Sequence, residues 1–78
     1  MARFFQVVYN LVEEDCFFIE NTETHETCIE EEAENLFAEL SRDENMEAAI
    51  LEFENNELIS YDYHGERAYD LWIAEYES

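Results

Sequence analysis

The chain has 78 residues, of which 22 are acidic and three are basic, so its formal net charge is −19. The basic residues are Arg3, Arg42 and Arg67, and the sequence contains no lysine. Polyphosphate and anionic lipid repel a surface of this sign, which excludes direct binding to nucleic acid or to a membrane. Because no apolar run approaches the roughly 20 residues that span a bilayer and no signal peptide is apparent, we expect one soluble domain over residues 1–78.

The composition nevertheless indicates a folded chain rather than an acidic tail. Hydrophobic residues make up 47% of the sequence and aromatic residues 15%, and proline is absent. Disordered acidic segments lack such aromatic content. A core beneath a nearly all-anionic surface costs stability through repulsion between like charges, most of all at low salt. We therefore expect that the charge itself has a function.

The expected charge density is close to that of duplex DNA. A compact chain of this length has a radius of gyration of about 11–12 Å and a diameter of roughly 30 Å. A net charge of −19 over that diameter corresponds to one charge per about 1.6 Å, compared with about 1.7 Å along duplex DNA.

The N-terminal third favours β-strands. Residues 3–12 are rich in β-branched and aromatic types, and alternation predicts one core-facing side made of Phe5, Val7, Tyr9 and Leu11. Residues 16–19 predict a second short strand, which would form a hairpin with the first. The polar residues 21–26 fit either an extension of that strand or a loop.

A helix is predicted over residues 28–41. Thr27 and Glu30 have the spacing of a capping box, with Thr27 as the N-cap. The apolar residues that follow recur with the period of one helix face: Ile29, Ala33, Leu36, Phe37 and Leu40. Glu30, Glu31 and Glu34 belong to the other side of the helix, and carboxylates in its first turn suit the helix dipole.

The C-terminal half predicts a hairpin and then a second helix. Asn55-Asn56 tolerates positive φ and favours a two-residue turn between strands at about 48–54 and 57–63, with His64-Gly65 ending the second strand. Between Glu66 and Tyr76, one helical face would hold Ala68, Tyr69, Trp72, Ile73 and Tyr76. A third strand of a meander is the alternative there. The fold class is therefore α+β with one antiparallel sheet, ordered ββαββα or alternatively ββαβββ.

The sequence offers little for catalysis or for holding a metal. Cys16 and Cys28 lie twelve residues apart without a CxxC motif, which favours buried or half-buried thiols in a reducing cytoplasm. His25 and His64 are isolated, and we expect both to be exposed. With no lysine, one glycine and no recognisable nucleophile–base arrangement, we expect no enzyme activity, no catalytic residue, no metal site and no cofactor.

The acidic surface predicts a basic protein partner instead. Fixed carboxylates can meet the Arg and Lys side chains that normally track a duplex, and binding would release counterions. The candidate partner-binding residues are Glu30, Glu31, Glu34, Glu52, Glu54, Glu57, Asp62, Glu66, Asp70, Glu75 and Glu77. Tyr61, Tyr63 and Tyr76 are candidate aromatic hot spots among them.

In composition and size, this small, lysine-free, glutamate-rich α+β chain resembles the DNA-mimic inhibitors of phages and mobile elements. That group includes anti-CRISPR and anti-restriction proteins. The resemblance covers the whole chain without any shared motif. It implies a stoichiometric inhibitor that occupies a DNA-binding surface, with a CRISPR effector as the first target and a restriction enzyme as the next.

Two other functions remain open from the sequence. An immunity protein or antitoxin would neutralise a basic nuclease toxin through a few dominant residues. A non-inhibitory acidic module would serve solubility, act as a chaperone for a basic protein or buffer cations. Both a monomer and a homodimer are compatible with the sequence.

Overall fold

The computed structural model describes residues 3–11 and 22–77, which form a four-stranded sheet and two helical segments. The strands are β1 (Arg3–Leu11), β2 (Glu23–Thr27), β3 (Met46–Glu54) and β4 (Glu57–His64), and helix α1 spans Glu30–Leu40. The C-terminal helical segment is π-helical at Tyr69–Ile73 and α-helical at Ala74–Glu77. The predicted α+β class is confirmed, and the alternative of a third strand at the C-terminus is wrong.

The strand order is β2-β1-β3-β4, and every neighbouring pair is antiparallel. Because β2 and β3 are both antiparallel to β1, they run parallel to each other. Such a connection needs a crossover, which α1 provides over β1. The strand predicted at residues 16–19 lies outside the described residues, and β2 falls in the polar stretch that fitted either a strand or a loop.

The sheet is covered on both faces. On one face Phe5 and Val7 are buried with Ala33 of α1. On the opposite face the C-terminal helical segment buries Ile73 against a second cluster, which contains Val8, Ala49, Leu51 and Phe53. The prediction of a single buried side for β1 is therefore incomplete, because β1 is an inner strand with a helical segment on each side.

The predicted capping box is wrong. Thr27 is still part of β2, where it pairs with Phe5, and α1 begins at Glu30 with Ile29 as its N-cap. The Thr27 hydroxyl instead accepts a hydrogen bond from the Ile29 N–H at 3.1 Å. Because sheet pairing keeps Thr27 extended, the chain turns through Cys28 and Ile29 before the helix starts. Both of these residues are exposed, contrary to the buried or half-buried thiol and the core-facing helix position that the sequence predicted.

The β3–β4 hairpin is confirmed at Asn55-Asn56. The two asparagines have φ values of 53° and 69°, as a type I′ turn requires. The β3–β4 ladder also contains a β-bulge between Glu52 and Phe53. Strand β3 starts two residues before the predicted position 48, at Met46.

A buried carboxylate anchors the start of the C-terminal helical segment. Glu47, only 6% exposed, accepts the backbone N–H of Arg67 at 2.5 Å. Gly65, with φ of 109°, brings the backbone against that carboxylate, so a Cβ at this position would lie 1.6 Å from Glu47 Oε2. Glycine is therefore required here for its positive φ and for the close approach.

Replacing this glycine should destabilise the fold. We expect Gly65→Ala to lower the free energy of unfolding by about 1–3 kcal/mol, because it combines backbone strain with displacement of the Glu47 carboxylate. Urea denaturation followed by circular dichroism measures the change. Exposed Asn35→Ala on α1 is the control, with an expected change within about 0.5 kcal/mol.

The same measurement in a Glu47→Ala background separates the two causes. The loss from Gly65→Ala should be smaller there, because the clash is gone and only the strain at positive φ remains. Equal losses in both backgrounds would show that the Glu47 contact is irrelevant.

Candidate partner-binding face

Most of the carboxylates project into solvent. Side-chain burial is described for seventeen acidic residues, and fourteen of these are exposed. The three others are Glu47, Glu52 and Glu54, all on β3. Since the whole chain has three arginines and two histidines for 22 acids, most carboxylates have no cationic side chain available to them.

Seven of the predicted site residues lie on the side of the sheet that α1 covers. The register places Glu52 beside Phe5 and Ser60, and Asp62 beside Ile50, all on that side. Glu54 lies beside Arg3 and Glu57 in the same ladder. We call this surface the acidic face, and it comprises Glu30, Glu31, Glu34, Glu52, Glu54, Glu57 and Asp62.

The other four predicted residues lie at or on the C-terminal helical segment, which packs on the opposite side of the sheet. Glu66 precedes the C-terminal helical segment, and Asp70, Glu75 and Glu77 are part of it. Glu66, Asp70 and Glu75 are exposed. The structure therefore divides the predicted site into two groups, the acidic face and the residues at the C-terminal helical segment.

Arg3 is a basic residue that lies among the carboxylates of the acidic face. Its guanidinium forms an ion pair with Glu52 and lies 3.9 Å from Glu30. The same guanidinium lies 5.7 Å from the centre of the Phe5 ring, within cation–π range. Because the Glu52 side chain is only 16% exposed, Arg3 compensates a carboxylate that water hydrates poorly.

An open groove separates α1 from β4 on this face. It exists because α1 packs on β1, β2 and β3, which leaves the surface next to the edge strand uncovered. Its volume is about 190 Å³. Phe5, Phe37 and Ile50 supply its apolar lining, and the polar and aromatic residues around them are Glu34, Glu52, Ser60, Tyr61 and Asp62.

The three candidate hot-spot tyrosines are substantially exposed, by 36% at Tyr61, 46% at Tyr63 and 48% at Tyr76. Tyr61 and Tyr63 both make edge-to-face contacts with Tyr69, at centroid distances of 6.1 and 5.5 Å. Tyr76 packs in the same way on Phe53. These contacts place the rings mainly towards the C-terminal helical segment, although Tyr61 also borders the groove.

The two histidines are partly buried rather than exposed as predicted. His25 Nε2 lies 2.8 Å from Glu32 Oε1, which ties β2 to α1. His64 Nε2 lies 3.0 Å from the carbonyl oxygen of Asp43. Across residues 3–11 and 22–77, no three His, Cys, Asp or Glu side chains are arranged to hold a metal ion.

Comparison with protein-family models, with curated proteins and with solved structures found no match to this chain. Within the described part of the chain, neither helical segment is both long enough and apolar enough to cross a membrane.

The charge density along the molecule is lower than the sequence predicted. The longest dimension is 42 Å rather than roughly 30 Å. A net charge of −19 spread along that dimension gives one charge per about 2.2 Å. Duplex DNA carries one per about 1.7 Å. The estimate of about 1.6 Å assumed a spherical molecule, whereas the principal extents are 42, 28 and 18 Å.

Repulsion between these carboxylates predicts an unusual salt response. The free energy of unfolding should rise as NaCl increases from about 0.02 to about 0.5 M, because screening weakens repulsion between like charges. Urea denaturation at each salt concentration measures it. Replacing exposed Glu31 and Glu39 by Gln should raise stability at low salt and reduce the salt dependence, and an unchanged salt dependence would contradict this account.

Arg3 should matter more for stability than the exposed Arg42 does. We expect Arg3→Met to lower the free energy of unfolding by about 1–2 kcal/mol, because partly buried Glu52 loses its counter-charge. Arg42→Met removes the same charge outside the acidic face and serves as the matched control. Equal losses in the two variants would show that the Arg3–Glu52 pair contributes only general charge balance.

Proposed function

We propose that this protein is a DNA-mimic inhibitor that binds the positively charged DNA-binding surface of a DNA-recognising protein and blocks its access to target DNA. The acidic face is the observation that carries the proposal. It combines carboxylates of α1 with those of the β3–β4 hairpin on one side of a sheet whose other side is also packed. Such a scaffold holds charges in place before a partner arrives.

Preorganisation is what makes these carboxylates a substitute for phosphates. A disordered acidic tail would lose conformational entropy when each charge is fixed against a partner, whereas side chains on a packed sheet and helix lose less. Neutralising the face with Arg and Lys side chains would also release the counterions that both surfaces hold. Both effects favour binding to a surface built for duplex DNA.

The resemblance to phage-encoded inhibitors orders the candidate targets. A CRISPR effector is the first, which would make the protein an anti-CRISPR, and a restriction enzyme is the second. In this proposal the protein acts in the cytoplasm of the host bacterium, where these targets encounter DNA. The exposed tyrosines would add hot-spot contacts that diffuse charge alone does not provide.

Capture followed by competition tests the proposal. The immobilised protein should retain a guide-loaded CRISPR effector or a restriction endonuclease at low salt, and duplex DNA carrying the cognate target should displace it. Raising NaCl to about 0.5 M should release it as well, because counterion release makes such binding steeply salt-dependent.

Matched charge variants locate the binding face. Neutralising Glu31, Glu34, Glu57 and Asp62 to their amides should weaken capture by about tenfold or more, since all four are exposed on the acidic face. A control variant removes four exposed charges from elsewhere on the surface, at Glu23, Glu26, Glu39 and Glu44. Since net charge changes equally in both variants, a loss confined to the first identifies the face.

Three results would contradict the proposal. The first is failure to retain any member of a panel of CRISPR effectors and restriction endonucleases at low salt. The second is retention that excess duplex DNA does not reverse. The third is an alanine scan in which one or two residues account for nearly all of the binding to a nuclease toxin, which would favour an immunity protein instead.

A further inference from the structure

The groove between α1 and β4 suggests how the proposed partner is recognised, an inference that rests on the proposed function. We propose that this groove receives a single arginine side chain from the basic partner. Its apolar lining includes Phe37 and Ile50, and exposed carboxylates stand on both sides of it, Glu34 on the helix and Asp62 on the edge strand. An arginine side chain is complementary to this arrangement, because its apolar stem can contact the apolar lining and its charged, planar end can pair with the carboxylates.

The size of the groove suits one side chain. Its volume of about 190 Å³ lies below the roughly 300–1,000 Å³ of pockets that enclose small-molecule ligands. Because it opens at the surface beside β4, a side chain that projects from a partner can enter without any rearrangement of the sheet. Rigid docking of this kind costs little conformational free energy on the side of the receptor.

One guanidinium of this chain, that of Arg3, already contacts residues that line the groove. Arg3 pairs with Glu52 and lies over the Phe5 ring, and both of these residues line the groove. An intramolecular guanidinium thus contacts an aromatic ring and a carboxylate that both line the groove. A second guanidinium inside the groove would meet the same types of group in Phe37, Glu34 and Asp62.

The carboxylate of Asp62 is oriented within the edge strand. Its Oδ1 accepts the backbone N–H of Tyr63 at 2.8 Å, which restricts rotation of the side chain. A carboxylate held in this way loses less entropy on binding than a free one. Arginine is preferred over lysine because a planar guanidinium can stack on a ring and bond two carboxylates in defined directions, whereas an ammonium is a compact, strongly hydrated charge.

A peptide titration tests this inference without the target. The full ¹⁵N-labelled chain is titrated with acetyl-Gly-Arg-Gly-amide, with its lysine counterpart and with its citrulline counterpart, which is neutral but similar in shape. Amide shifts from the arginine peptide should concentrate at the residues that line the groove. Its affinity should exceed that of the lysine peptide about two- to fivefold, and the citrulline peptide should not bind.

Variants distinguish arginine binding in the groove from general attraction to the acidic surface. Glu34→Gln and Asp62→Asn should each weaken binding of the arginine peptide, whereas Glu39→Gln should not, although it removes the same charge from an exposed position of α1 outside the groove. Phe37→Leu keeps an apolar lining without the ring, so it should bring the arginine affinity down towards that of lysine.

The outcomes separate this inference from the proposed function. Shifts spread over all acidic segments, equal affinities for arginine and lysine, or equal effects of Glu34→Gln and Glu39→Gln would overturn the arginine site while leaving DNA mimicry standing. Groove-centred arginine binding, combined with no target that duplex DNA can displace, would overturn DNA mimicry and leave the arginine site standing.

Discussion

Repulsion among 22 carboxylates is the constraint that the rest of this structure must satisfy. The opposing contribution is apolar burial on both faces of one sheet, where Val7, Leu51 and Ile73 are fully buried. A sheet covered on a single face would bury less apolar surface per residue in so small a chain. Packing on both faces also leaves little interior space for charge, and the buried carboxylate of Glu47 is held by a backbone N–H.

Under the proposed function, the same arrangement would link stability to binding. The acidic face presents carboxylates of α1 and of the β3–β4 hairpin on a packed helix and sheet. Repulsion that weakens the isolated fold would be relieved when a cationic surface covers it. A partner that supplies Arg and Lys side chains would therefore stabilise the protein as it binds. Under the proposed function, the repulsion that destabilises the free protein would add to the driving force for binding.

Local signals in the sequence predicted the turn at Asn55-Asn56 and the helical character of the C-terminus, since both depend on nearby residues. Long-range pairing decided the rest. Thr27 has the spacing of an N-cap, but its pairing with β1 keeps it extended. The acidic character of the surface followed from composition, whereas its division into two faces and the groove beside β4 depend on strand order. The role of Glu47 had one usable signal, a charged residue in alternation with Ala49, Leu51 and Phe53.

DNA mimicry is tested most directly by a structure of the protein bound to a captured target, superposed on the same target bound to DNA. If the protein mimics DNA, carboxylates of the acidic face lie within about 4 Å of the Arg and Lys nitrogens that otherwise contact DNA phosphates. Binding at a surface that DNA does not occupy, or through the face of the C-terminal helical segment alone, would contradict it.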